Sequence, residues 1–186
     1  MLRRFPAVTQ RRIFARTPLL SGARKELKMP WMIALMLAQD PPAFHVLLHG
    51  KPRMAVIDAL SMADRLLDAP PCHAMFVEFR DPMGRSLATN LEAARETPRE
   101  RLARLYFSDA DARQCRANPR MIAYTEPGSR VIWICGDRFA DEFAMAVRPG
   151  AFRLIHELLH SAGLGENPPT SAEITDAVAT RCGKGR

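Results

Sequence analysis

Two histidines four residues apart, with a glutamate directly after the first, form the chemically richest segment of this 186-residue chain: His156-Glu157-Leu158-Leu159-His160. On an α-helix, positions i and i+4 lie about 6 Å apart on one face. Two imidazoles placed there can ligate one Zn²⁺ from the same side, and Glu157 can reach the water that such a metal activates and act as its general base. The segment itself reads as a helix. Phe152, Ile155, Leu158 and Leu159 recur at helical spacing, Pro149 suits an early helical position, and Gly163 suits the stop.

The elements that must position this helix are readable in outline. Residues 52–68 read as a helix with Val56, Ile57, Leu60, Ala63 and Leu67 on one side. Residues 74–79 read as a short strand closed by the turn Asp81-Pro82-Met83-Gly84. A helix follows over 87–96. Another opens at Thr97-Pro98-Arg99-Glu100, with an N-cap, a proline at N1 and a capping glutamate, and runs to about Tyr106. Residues 121–125 and 130–135 flank Glu126-Pro127-Gly128-Ser129 as a hairpin. Thr170-Ser171-Ala172-Glu173 is a second capping-box pattern and starts a last helix that ends near Cys182. The expectation is one α+β domain over residues 42–186, a short sheet or hairpin packed on helices that include the one bearing HExxH. No internal repeat or coiled coil is present, and the oligomeric state is left open.

The run from His156 through Gly163 to Glu166 resembles the zinc-binding signature of the zincin metallopeptidases, in the metzincin form HExxHxxGxx followed by a third ligand. The resemblance covers about 11 residues. It implies a zinc cofactor, His156 and His160 as ligands, Glu157 as catalytic base, and a protein or peptide substrate. In that family the helix breaks at the glycine, here Gly163, and the chain turns back to bring the third ligand to the metal. Glu166 stands where the family usually has His or Asp, and a carboxylate is a competent zinc ligand. Glu173 is the alternative third ligand, since a second zincin group takes a glutamate from a later helix. The family's methionine turn, downstream of the third ligand, is not found: the last methionine is Met145. The resemblance also implies a donor for the oxyanion, for which Tyr124 in the hairpin is the candidate, and a groove lined by residues 130–135 that pairs with an extended peptide. The alternative function is a non-catalytic zincin-like protein-binding module with a structural or vestigial metal site.

Net charge separates the leader from the body. The chain carries +7, but residues 1–28 hold eight Lys and Arg against one acid, which leaves 19 bases and 19 acids in the rest. The formally neutral body gives no basic footprint for nucleic acid. Behind the basic stretch, Met29 to Ala38 form an apolar run of ten, the length of a signal-peptide core and too short for a membrane span. Residues 1–41 therefore read as a targeting leader, or as upstream sequence of a misassigned start, and the protein as exported to a periplasmic or extracellular space. The alternatives are mitochondrial-type targeting or a cytoplasmic protein. Cys72, Cys115, Cys135 and Cys182 all lie in the body without C-x-x-C spacing, as suits two disulfides. Three connectivities exist; Cys115–Cys135 with Cys72–Cys182 is the expected one, tying the last helix to the start of the domain. His45 and His49 are also four apart, but Val46 replaces the base, so they read as packing or surface residues. His73 reads as a loop histidine and Asp176 as a solvated helix residue.

Overall fold

In the computed structural model, which describes residues 43–184, the chain runs β1 (His45–Val46), α1 (Gly50–Leu67), α2 (Pro70–Glu78), α3 (Leu87–Ala93), α4 (Pro98–Ala103), β2 (Tyr106–Asp109), α5 (Ala112–Ala117), β3 (Ala123–Tyr124), β4 (Val131–Ile134), α6 (Gly136–Phe143), α7 (Val147–Ser161) and α8 (Ser171–Cys182). The leader expected over residues 1–41 lies outside the described residues. The fold is α+β, as expected, with a small mixed sheet among helices. Helix α1 presents Val56, Ala59, Leu60 and Ala63, all fully buried, to α7, which answers with Ala151, Leu154, Ile155 and Leu158. Gly150 lets these helices and α6 approach closely, since a Cβ there would lie 3.3 Å from that of Ala59 and 3.1 Å from that of Phe143.

The sheet order is β1-β2-β4-β3, with β1–β2 and β2–β4 parallel and β3–β4 antiparallel. The expected hairpin is therefore present, pairing Ala123 with Ile134 and Tyr124 with Trp133. One face of the sheet buries Phe107, Ile132 and Ile134 against the helices; the other exposes Tyr106 and Trp133. Strand β4 is hydrogen-bonded on both sides, by β2 and β3. It cannot pair with an incoming peptide, so the expectation for residues 130–135 is corrected: among the described residues the outer strands are β1 and β3, and β3 is the one that lines the cleft described below.

Residues 74–79 are not a strand. Residues 74–78 fall within α2 and Phe79 is its C-cap; Pro70 and Pro71 occupy the first turn, and Cys72, Met75 and Phe76 are buried at helical spacing. His73 is accordingly an exposed helix residue and not a loop residue. Helix α3 stops short of residue 96, where Arg95 takes a positive φ of 55°. Helix α4 has the expected capping box but ends early, because Tyr106 begins β2. Strands β1 and β2 and helices α5 and α6 had no forecast. The disulfides are Cys72–Cys182, joining α2 to α8, and Cys115–Cys135, joining α5 to the residue before α6. No described helix is long and apolar enough to cross a membrane.

Candidate metal centre

Helix α7 ends where glycine permits. Gly163 has φ of +113°, its N–H donates to the His160 carbonyl (2.8 Å), and the Leu164 N–H donates to the Leu159 carbonyl (3.1 Å). These are the two bonds of a Schellman cap, with Leu159 and Leu164 both fully buried beside it. Two further groups hold this end: the Gly128 N–H from the hairpin turn donates to the His160 carbonyl (2.9 Å), and Asn90 Nδ2 donates to the Ala162 carbonyl (3.1 Å). The reversal carries Glu166 back over the helix. Its Oε1 lies 3.3 Å from His160 Nε2 and 3.9 Å from His156 Nε2.

The hydrogen bonds behind the two imidazoles fix what their front atoms carry. The Leu164 carbonyl can only accept, so the His160 Nδ1–H donates to it at 2.8 Å. The Thr175 hydroxyl donates its one proton to the Ser171 carbonyl (2.9 Å), so His156 Nδ1, 3.0 Å away, donates to Thr175 Oγ1. With both rings neutral, both Nε2 atoms are then bare lone pairs, and they face each other at 3.0 Å. Such a pair can share a cation or a proton. The carboxylate of Glu166 adds a third lone-pair donor, and the three ligand atoms lie within 4.8 Å of one another. Ligand atoms about 2.0–2.1 Å from a tetrahedral ion lie about 3.3 Å apart, a spacing that the observed 3.0, 3.3 and 3.9 Å bracket. Two neutral nitrogens, each oriented from behind by a hydrogen bond, and one carboxylate fit a divalent transition metal such as zinc.

Burial sets the charge state of these groups in the metal-free protein. His156 is pushed down to about 3 by desolvation, helped by His160 and Arg153, and so stays neutral. Glu157, 3% exposed, is pushed up to about 8, first by burial and then by Glu166. Arg153 and the backbone N–H of Thr125 act the other way. Glu157 is thus buried beside the ligand cluster, next to the backbone that follows β3.

Both histidines, Glu157 and Glu166 line one cleft of about 810 Å³, walled by residues 117–125 and Arg153. Glu173 is absent from this group. It completes the capping box of α8, accepting from the Thr170 N–H (2.8 Å) and hydroxyl (2.9 Å). Tyr124 lines the cleft, but its hydroxyl donates to Gln114 Oε1 (2.8 Å). His45 stacks on Tyr106 away from the site, and His49, His73 and Asp176 are exposed. Sequence reasoning missed Thr175, Thr125 and Arg153. For Arg153 a signal existed, since it lies three and four residues before His156 and Glu157 on the same helix face. No protein-family model matches this chain, and no curated protein or solved structure matches it either.

Proposed function

We propose that this chain is a zinc-dependent peptidase of zincin type. The observation that carries the reading is the convergence of two bare imidazole nitrogens and the Glu166 carboxylate, with Glu157 buried beside them. Bound zinc supplies an open coordination position, lowers the pKa of a water there toward 7 and polarises a substrate carbonyl. Glu157 takes the attacking water's proton and passes it to the leaving amine nitrogen. Thr175 and the Leu164 carbonyl keep the Nε2 lone pairs facing forward. The free edge of β3, in the cleft wall, offers backbone groups to an extended peptide. Two disulfides and the basic, apolar leader support an exported protein working in an oxidising space.

The second reading, a zincin-like binding module without turnover, is favoured by one observation: the Tyr124 hydroxyl is already engaged by Gln114. Metal analysis and peptide hydrolysis together test the first. The full chain should hold one zinc, retained in Glu173→Ala and lost in Glu166→Ala. Glu157→Gln should keep the zinc and lose hydrolysis by about 10²-fold or more. Zinc without hydrolysis in the wild type would select the binding module.

A further inference from the structure

The helix face that carries His156, Glu157 and His160 continues one turn toward the N-terminus with Arg153. Arg153 lines the cleft, and its charge is felt at both His156 and Glu157. Yet among the described residues no hydrogen bond or ion pair engages its guanidinium. The other arginines that are not exposed all have a carboxylate or carbonyl partner: half-buried Arg99 clamps Asp64 and Asp68, buried Arg101 pairs with Glu96, Arg181 with Glu78, and Arg138 donates to three carbonyls. Every other described arginine without a partner is exposed, and Arg153 alone is half-buried. A guanidinium partly stripped of water, with a carboxylate near it but none hydrogen-bonded to it, has lost hydration that a bound anion would replace.

We propose that Arg153 is the receptor for a substrate carboxylate, selecting peptides that carry one within about two residues of the bond to be cut. The span follows from geometry: one helical turn is about 5.4 Å, against about 3.3 Å per residue of an extended peptide. A guanidinium meets a carboxylate through two parallel N–H donors, a fit that an amide or hydroxyl lacks. Exposed Arg120, also in the cleft lining, adds a field of the same sign, and of the cleft's own carboxylates Glu166 belongs to the metal-ligand group while Glu157 is buried. The carboxylate comes either from the peptide's C-terminus or from an Asp or Glu side chain. This assignment rests on the peptidase reading for the identity of its ligand.

Four forms of one short peptide separate the sources: a Glu or a Gln within it, each with a free or an amidated C-terminus. Their affinities for the zinc-loaded full chain carrying Glu157→Gln are measured by calorimetry. The form or forms bearing the recognised carboxylate should bind about tenfold tighter or more than the neutral amide. Adding Arg153→Gln should bring all four within about twofold of one another, while Arg153→Lys should keep part of the preference. Equal affinities, no binding of any form, or a preference that survives Arg153→Gln in a folded protein of unchanged zinc content would each overturn the assignment. Hydrolysis of the same peptides by the wild-type chain judges the catalytic reading separately. Carboxylate-selective binding without cleavage sinks the peptidase and spares Arg153; cleavage indifferent to the carboxylate does the reverse.

Discussion

Glu157 and His156 are neighbours in sequence with opposite responses to burial, and the pair writes a signature into the pH dependence of the metal-free protein. Between about pH 4.5 and 8 the native Glu157 holds a proton that the unfolded chain has lost, so stability falls as pH rises through that interval. Between about pH 3 and 6.5 the native His156 lacks a proton that the unfolded chain holds, so stability rises with pH there. Each limiting slope is about 1.4 kcal/mol per pH unit, and the two cancel where the intervals overlap. The expected profile is a plateau between 4.5 and 6.5 with a falling limb on each side. Asp81 deepens the acid limb: burial opposes its ionisation, but Asn90 and Arg85 outweigh that and hold it down at about 2. Urea unfolding across pH checks this, and Glu157→Gln should flatten the alkaline limb and turn the plateau into a continued rise to about pH 6.5, where His156 then acts uncancelled. Loading with zinc should raise the curve wherever the ligands are deprotonated and fade toward acid pH, since a ligand bound only by the native state adds stability by mass action and protons compete for its donors.

Among the elements, the reversal after α7 is the most sensitive part of the site. Gly163→Ala meets two penalties at once, a positive φ and a Cβ only 2.8 Å from Asn90 Nδ2. It should cost about 1–3 kcal/mol in urea unfolding and weaken zinc affinity, because the same turn sets the Leu164 carbonyl and Glu166. Thr170→Ala should cost about 1 kcal/mol by removing the cap of α8, with a small effect on zinc. These devices were legible because they are local: a glycine stop, two capping boxes and a Pro-Gly hairpin turn each declare themselves within a few residues. Residues 74–79 read as a strand because Ala-Met-Phe-Val-Glu-Phe is apolar enough for one; the helix signal is the pair Pro70-Pro71, which suits a first turn. Strands β1 and β2 were invisible because parallel pairing over two to four residues is decided by distant partners. Thr175 was invisible for the same kind of reason, since it meets His156 across 19 residues only once α8 has docked.

For the whole molecule, the two disulfides do different work. Cys72–Cys182 spans 110 residues and Cys115–Cys135 spans 20, worth about 5 and about 3 kcal/mol in a chain-entropy estimate. The long one, reinforced by the bidentate Arg181–Glu78 pair, anchors the helix that carries Thr175. Replacing Cys72 and Cys182 with serine should therefore lower both stability and zinc affinity. Replacing Cys115 and Cys135 should lower stability by the smaller amount and leave zinc affinity near wild type, as calorimetry with zinc would read. The connectivity was one of three that spacing allowed, and only the packing of α8 on α2 decides it.

The segment around Cys115 is built differently from the rest of the cleft. Helix α5 has no buried side chain; it is held by its disulfide and by Arg138, which donates to the carbonyls of Cys115, Asn118 and Met121. Its residues between those anchors contribute nothing to the apolar interior that folding depends on. Exposed Ala117, at the end of α5, and exposed Arg120 just beyond it can thus be exchanged at almost no cost in stability while the cleft's rim changes shape and charge. Such a bracket is a natural place for selection, or for an engineer, to retune which molecules are admitted without rebuilding the machinery behind it.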